Sequence, residues 1–189
     1  MRAMACADLP NGSRCLIATY SPSGASSTGS ATVFSANPFN HYELVITNLV
    51  SSVNGNQLRM RLSFDNSSFS AATNYGYYGP TSNSNNVINE GANSQSSFEF
   101  SRSANFNGYG SGNSGFSGKI SINSTTIALN GGFSATSVGT GWDSSAVGNY
   151  YTARTMFYPS NGSAFTATGF QMYPSSGTFT GTVEVYGYN

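Results

Sequence analysis

The sequence predicts an all-β fold, an antiparallel β-sandwich of jelly-roll type with about ten short strands and an N-terminal arm. Three observations predict it. No window of helical length keeps an apolar 3.6-residue period free of glycine or another breaker. Segments with a period of two recur along the chain, separated by Gly, Asn, Ser and Pro. The composition combines 33 Ser, 22 Gly and 21 Asn with 14% aromatic residues. Hydroxyl- and amide-rich sequence alone points to disorder, but aromatic side chains supply the apolar area that offsets ordering entropy.

The clearest strand is His41 to Val50, where Tyr42, Leu44 and Ile46 alternate with Glu43, Val45 and Thr47. From Gln57 to Phe64 a second alternation sets Leu58, Met60, Leu62 and Phe64 against Arg59, Arg61 and Ser63. Asn54-Gly55 between them predicts a hairpin, because both residues tolerate the positive φ that a tight hairpin turn demands. A third strand, Thr178 to Tyr186, places Phe179, Val183 and Val185 on one side. Gly181 falls on that apolar side, which predicts a bulge or a close backbone approach.

Further strands are expected at Cys15 to Tyr20, Ala31 to Phe34, Ser97 to Phe100, Phe116 to Ile122, Thr126 to Phe133, Tyr150 to Tyr158 and Ala164 to Tyr173. Asn74 to Ser96 and Ser103 to Ser114 show no pattern and read as long loops, the kind that carries function or meets a partner. Residues 1–14, broken by Pro10, Asn11 and Gly12, read as a docking arm, and 15–189 as a single β domain. With 189 residues that domain can bury roughly 70% of the surface of its unfolded chain.

Charge bounds the partners. Only 7% of residues are charged and the formal net charge is zero, so nothing steers the chain towards nucleic acid or an anionic membrane surface. No apolar run reaches the roughly 20 residues of a membrane helix, and Asp8 and Pro10 interrupt any secretory leader. Synthesis in the cytoplasm, without a signal peptide, is expected. Cys6 and Cys15 are the two cysteines; a local disulfide and two free thiols both remain open.

Chemistry is sparse. The one histidine, His41, opens a strand without an accompanying Asp or Ser pattern and reads as structural. Asp8, Glu43, Asp65, Glu90, Glu99, Asp143 and Glu184 are scattered singly, whereas glycoside hydrolysis needs two carboxyls facing each other. No spacing suits a metal, and Gly108 to Gly118 lacks the Lys-Ser or Lys-Thr of a phosphate loop. The expectation is therefore no enzyme, no cofactor and no metal. Tyr75, Tyr77, Tyr78, Tyr109, Trp142, Tyr150 and Tyr151 lie in or beside the irregular segments. A flat apolar ring with a polar edge suits both protein interfaces and sugars, which makes them the candidate binding or interface residues.

Three stretches carry a resemblance: HYELVITNLVSSVNGNQLRMRLSFDNSSF at 41–69, GFSGKISI at 115–122 and ATGFQMYPSSGTFTGTVEVYGYN at 167–189. Tyr42 to Asn48, Leu58 to Asp65 and Gly181 to Gly187 follow the order seen in the jelly-roll module of tailed-bacteriophage virion proteins, which the chain resembles. That resemblance implies a homotrimer without catalytic residues: a tail fibre, head fibre or capsid decoration protein. Its expected partners are itself, other virion proteins through the arm, and a host-surface glycan as the alternative reading. The chain lacks the long N-terminal shaft of typical members, which argues against a large fibre.

Overall fold

The computed structural model describes residues 13–37, 39–53, 56–82, 87–100, 115–124, 126–127, 132–143, 148–159 and 165–188. The described residues form strands and turns without a helix. The first five strands are β1 (Arg14–Tyr20), β2 (Ser23–Ala25), β3 (Thr28–Ser30), β4 (His41–Ser51) and β5 (Leu58–Ser63). Next come β6 (Tyr75–Ser82), β7 (Val87–Gln95), β8 (Phe98–Glu99), β9 (Phe116–Ser124) and β10 (Thr126–Ile127). The last are β11 (Gly132–Asp143), β12 (Gly148–Pro159), β13 (Phe165–Thr166), β14 (Gly169–Pro174) and β15 (Phe179–Tyr188).

Two sheets build the sandwich. In the larger, β1-β15-β4-β9 continues into β11-β12-β6-β7, with β2 also against β15; the smaller runs β3-β14-β5-β8. The chain visits the first four of the larger sheet and the four of the smaller in the order β1, β3, β4, β5, β8, β9, β14, β15. That alternation between two antiparallel four-stranded sheets is the jelly roll, so the predicted fold class is correct. The β6–β7 and β11–β12 hairpins are additions that extend one sheet beyond the other; β10 and β13 form a separate two-residue ribbon.

Period-two alternation fills the space between the sheets. Leu44 and Ile46 stand opposite Val185 and Val183, and Leu44 also opposite Ile120. Across the gap lie Leu58, Met60, Leu62, Phe170 and Met172, all fully buried. Phe170 stacks on Phe34 at 5.9 Å and meets the edge of Tyr20 at 5.9 Å. Each such side chain contributes about 1.5–3 kcal/mol by leaving water.

The expected β4–β5 hairpin is corrected: β4 pairs with β15 and β9, β5 with β14 and β8. The segment between them crosses from one sheet to the other. A hairpin and a sheet-to-sheet crossing leave the same alternation in the flanking strands, because both send one face of each strand to the core. The crossing is held against its neighbour, the β14–β15 crossing, by Asn56. Its side-chain amide donates to Ser51 Oγ (2.5 Å) and Ser176 O (2.6 Å), and its oxygen accepts from Ser175 Oγ (3.0 Å) and Ser176 Oγ (2.6 Å). Asn54 and Gly55 lie outside the described residues.

Other differences have local causes. Ala31 to Phe34 is turn, not strand, and buries Val33 and Phe34 as a plug; the Tyr42 hydroxyl ties this region down by donating to Asn37 O (2.6 Å) and accepting from Phe39 N (2.9 Å). Most of Asn74 to Ser96 is the β6–β7 hairpin rather than a loop. Its inward positions include Gly79 and Thr81 beside Tyr75 and Tyr77, so the apolar alternation is diluted. The predicted Thr126 to Phe133 strand divides into β10 and the start of β11, and Ala164 to Tyr173 into β13 and β14. Gly181 sits at φ +132° in a register shift, where a Cβ would fall 2.5 Å from Asn48 O; the expected bulge and close approach are both present.

At the start of the domain, β1 begins at Arg14, which ion-pairs with Glu43 at 2.7 Å and lies over the Tyr186 ring. Cys15 is disulfide-bonded, which selects the disulfide from the two alternatives. Cys6, like the rest of residues 1–12, lies outside the described residues, as does the 103–114 stretch.

Candidate functional site

The overhang formed by β11, β12, β6 and β7 is the candidate site, because each of its faces departs from what a simple sandwich requires. Alternation along β12 sends Thr152, Arg154, Met156 and Tyr158 inward and Tyr151, Ala153, Thr155 and Phe157 outward. The same parity turns Tyr75, Tyr77, Gly79 and Thr81 of β6 inward.

The outward face carries no charged residue at its described positions on these four strands. Thr140, Tyr151, Ser82 and Val87 form one cross-strand row, and Thr136, Thr155, Tyr78 and Gly91 another. Tyr78, Val87, Val138, Tyr151 and Phe157 are all exposed there. A shallow trough of about 300 Å³ between the rows is lined by Tyr78, Pro80, Val138, Ala153 and Thr155. Two aromatic rings lie flat over cross-strand glycines. A Cβ on Gly76 would fall 2.2 Å from the Phe157 ring, and one on Gly91 2.7 Å from the Tyr78 ring. The absent side chains let those rings cover backbone.

Part of the inward face is a polar core, beside the apolar positions Met156 and Tyr158. Thr81, Ser97, Glu99, Ser137, Thr152 and Arg154 are buried. Arg154 donates from Nε to Thr152 Oγ1 (3.2 Å), from Nη1 to Glu99 O (3.1 Å), and from Nη2 to Thr81 Oγ1 (3.3 Å) and Glu90 Oε2 (2.5 Å). Its guanidinium also lies 4.9 Å from the centre of the Tyr77 ring. Glu99 accepts from the Tyr77 hydroxyl (2.6 Å) and Gln57 Nε2 (3.1 Å), and pairs with Arg59 at 3.1 Å. Burial, and then the bond to the Glu99 carboxylate, push the Tyr77 phenol up to about 12. A cavity of about 310 Å³ opens here, lined by Tyr77, Asn89, Glu90, Gly91, Glu99 and Arg154.

Tyr78 and Tyr151 are thus surface aromatics on one face. Tyr77 faces the polar cavity instead. Tyr75 belongs to the core: its ring packs edge-on to Phe98 (4.7 Å) and Tyr158 (4.8 Å), and its hydroxyl accepts from Leu62 N and donates to Ser70 O, both at 2.9 Å. Trp142 and Tyr150 hold strand positions opposite Asn149 and Gly141, with side chains outside the described set. Tyr109 lies outside the described residues. His41 packs edge-on to Tyr188 at 5.5 Å.

Sequence reasoning missed the meeting of Arg154 with Glu90 and Glu99, from which it lies 64 and 55 residues away along the chain. The available signal was parity, since Arg154 occupies the same face of its strand as Met156 and Tyr158. Comparison with protein-family models, curated proteins and solved structures returned no match. Fold and site together define a jelly-roll β-sandwich whose larger sheet overhangs the smaller, with an outer face uncharged at its described positions and an inner face that is polar in part.

Proposed function

We propose that this chain is a non-enzymatic structural subunit of the exterior of a tailed-phage virion, a short tail fibre or capsid decoration subunit that assembles as a homotrimer. One observation carries the self-assembly: the outward face of the overhang is uncharged at its described positions and exposes Tyr78, Val87, Val138, Tyr151 and Phe157. Exposed apolar surface grouped on one sheet face marks an interaction site. A second copy suits it because aromatic and aliphatic side chains without charge dominate the centres of homomeric interfaces. The jelly-roll strand order and the resemblance of segments 41–69, 115–122 and 167–189 support the virion setting.

Sedimentation velocity tests the assembly. The wild-type chain is expected to sediment as a trimer at micromolar concentration. Val138→Glu and Tyr151→Asp, both at exposed positions, are expected to give folded monomers. A wild-type chain that stays monomeric throughout the micromolar range would overturn the reading.

A further inference from the structure

We infer that the cavity between the inward face of β6–β7 and β8 is a binding subsite for a neutral saccharide. The inference stands apart from self-assembly, which uses the opposite face of the overhang.

The polarity of the cavity wall is the first argument. Replacing a buried ion pair by well-packed apolar side chains is often neutral or stabilising, and the neighbouring jelly-roll core shows that this chain has apolar residues for the purpose. Here it instead buries Arg154, with 1% of its side chain exposed, beside Glu90 and Glu99.

Charge and hydrogen-bonding capacity define the ligand class. Glu90 is paired with Arg154 and Glu99 with Arg59, so the two carboxylates are matched by two guanidinium groups. A site so balanced has no net field to draw an anion or a cation. It offers donors and acceptors side by side: the Glu90 and Glu99 carboxylates, the Tyr77 hydroxyl and the Arg154 guanidinium, four of whose five N–H groups are engaged by the bonds above. Hydroxyl groups both donate and accept, and a ring bearing several of them matches this mixture. Tyr77 also borders the cavity, with the Arg154 guanidinium over its ring. A volume of about 310 Å³ admits one small ligand.

The experiment uses the full chain on an array of neutral hexose oligosaccharides beside sialylated and sulfated glycans, followed by calorimetric titration of the glycans retained. Retention of neutral glycans is expected, with binding weakened at least tenfold by Glu90→Gln and by Tyr77→Phe. Tyr77→Phe keeps the ring and its packing, so the test stays decisive if Glu90→Gln unfolds. Three results would overturn the proposal: no neutral glycan bound at millimolar concentration, preference for sulfated or sialylated glycans, or binding that survives Tyr77→Phe but is lost in Tyr151→Ala.

Discussion

Arg154 on β12 reaches across the whole of β6 to pair with Glu90 on β7, Nη2 to Oε2 at 2.5 Å, with 1% of the arginine side chain and 24% of the glutamate exposed. The pair ties the outermost strand of the overhang to a strand two places inside it. Nη1 of the same guanidinium bonds to the Glu99 backbone, joining the overhang to the edge strand of the smaller sheet.

Removing Arg154 takes the buried guanidinium from Glu90 and one donor from Glu99 O. Arg154→Ala is therefore expected to cost about 3 kcal/mol or more, the scale for breaking one partner of a buried pair. Urea unfolding measures it. A loss below about 1 kcal/mol would show that the overhang holds without this strut.

Asn56 joins the two sheet-to-sheet crossings through four hydrogen bonds and is 3% exposed. Asn56→Ala takes these bonds from Ser51, Ser175 and Ser176 and is expected to destabilise by about 2–3 kcal/mol. Asn56→Asp keeps the acceptor but loses both donated bonds, and should also be destabilising. Thermal melts of the two variants check both losses.

At Gly181 two costs coincide, a φ of +132° and a Cβ 2.5 Å from Asn48 O. Gly181→Ala is expected to lose about 2 kcal/mol or more. Gly24, also at positive φ (+71°) but with open space around its Cβ position, should lose less on the same change, which isolates the contribution of the clash. Denaturant midpoints of the two variants supply the comparison.

Burial pushes the Tyr77 phenol up to about 12 in the folded chain, from 10.0 for an unperturbed tyrosine. The unfolded chain releases this proton first, so the stabilisation is complete below about pH 10 and is lost as pH rises towards about 12. Tyr77→Phe is expected to reduce the fall in stability over that interval. Denaturation curves measured across it check the slope; an unchanged slope in the variant would assign the alkaline loss to other groups.

Much of the jelly roll was legible in the sequence. Tyr42, Leu44 and Ile46, then Leu58, Met60 and Leu62, then Val183 and Val185 alternate strictly, and alternation reports a strand with one buried face whatever it pairs with. For the same reason it is silent about the partner, and the turn at Asn54-Gly55 suggested a hairpin where the chain crosses between sheets. Gly181 was readable because a glycine on an apolar face contributes no side chain to the core, so its place there points to the backbone. The β6–β7 hairpin was not, since Gly76, Gly79, Pro80 and Gly91 look like loop residues until Phe157 and Tyr78 are seen lying over two of them.

By itself, the sequence determined the fold class, most strand positions, the low charge and the presence of aromatic side chains suited to a surface. Tertiary structure alone decided that Tyr78 and Tyr151 share an outer face while Tyr75 is core, and that Glu90, Glu99 and Arg154 meet around one cavity. The physical reason is that local backbone pattern sets which way a side chain points relative to its own strand. Neighbours come from non-local pairing, here across strands 55 and 64 residues apart in the chain.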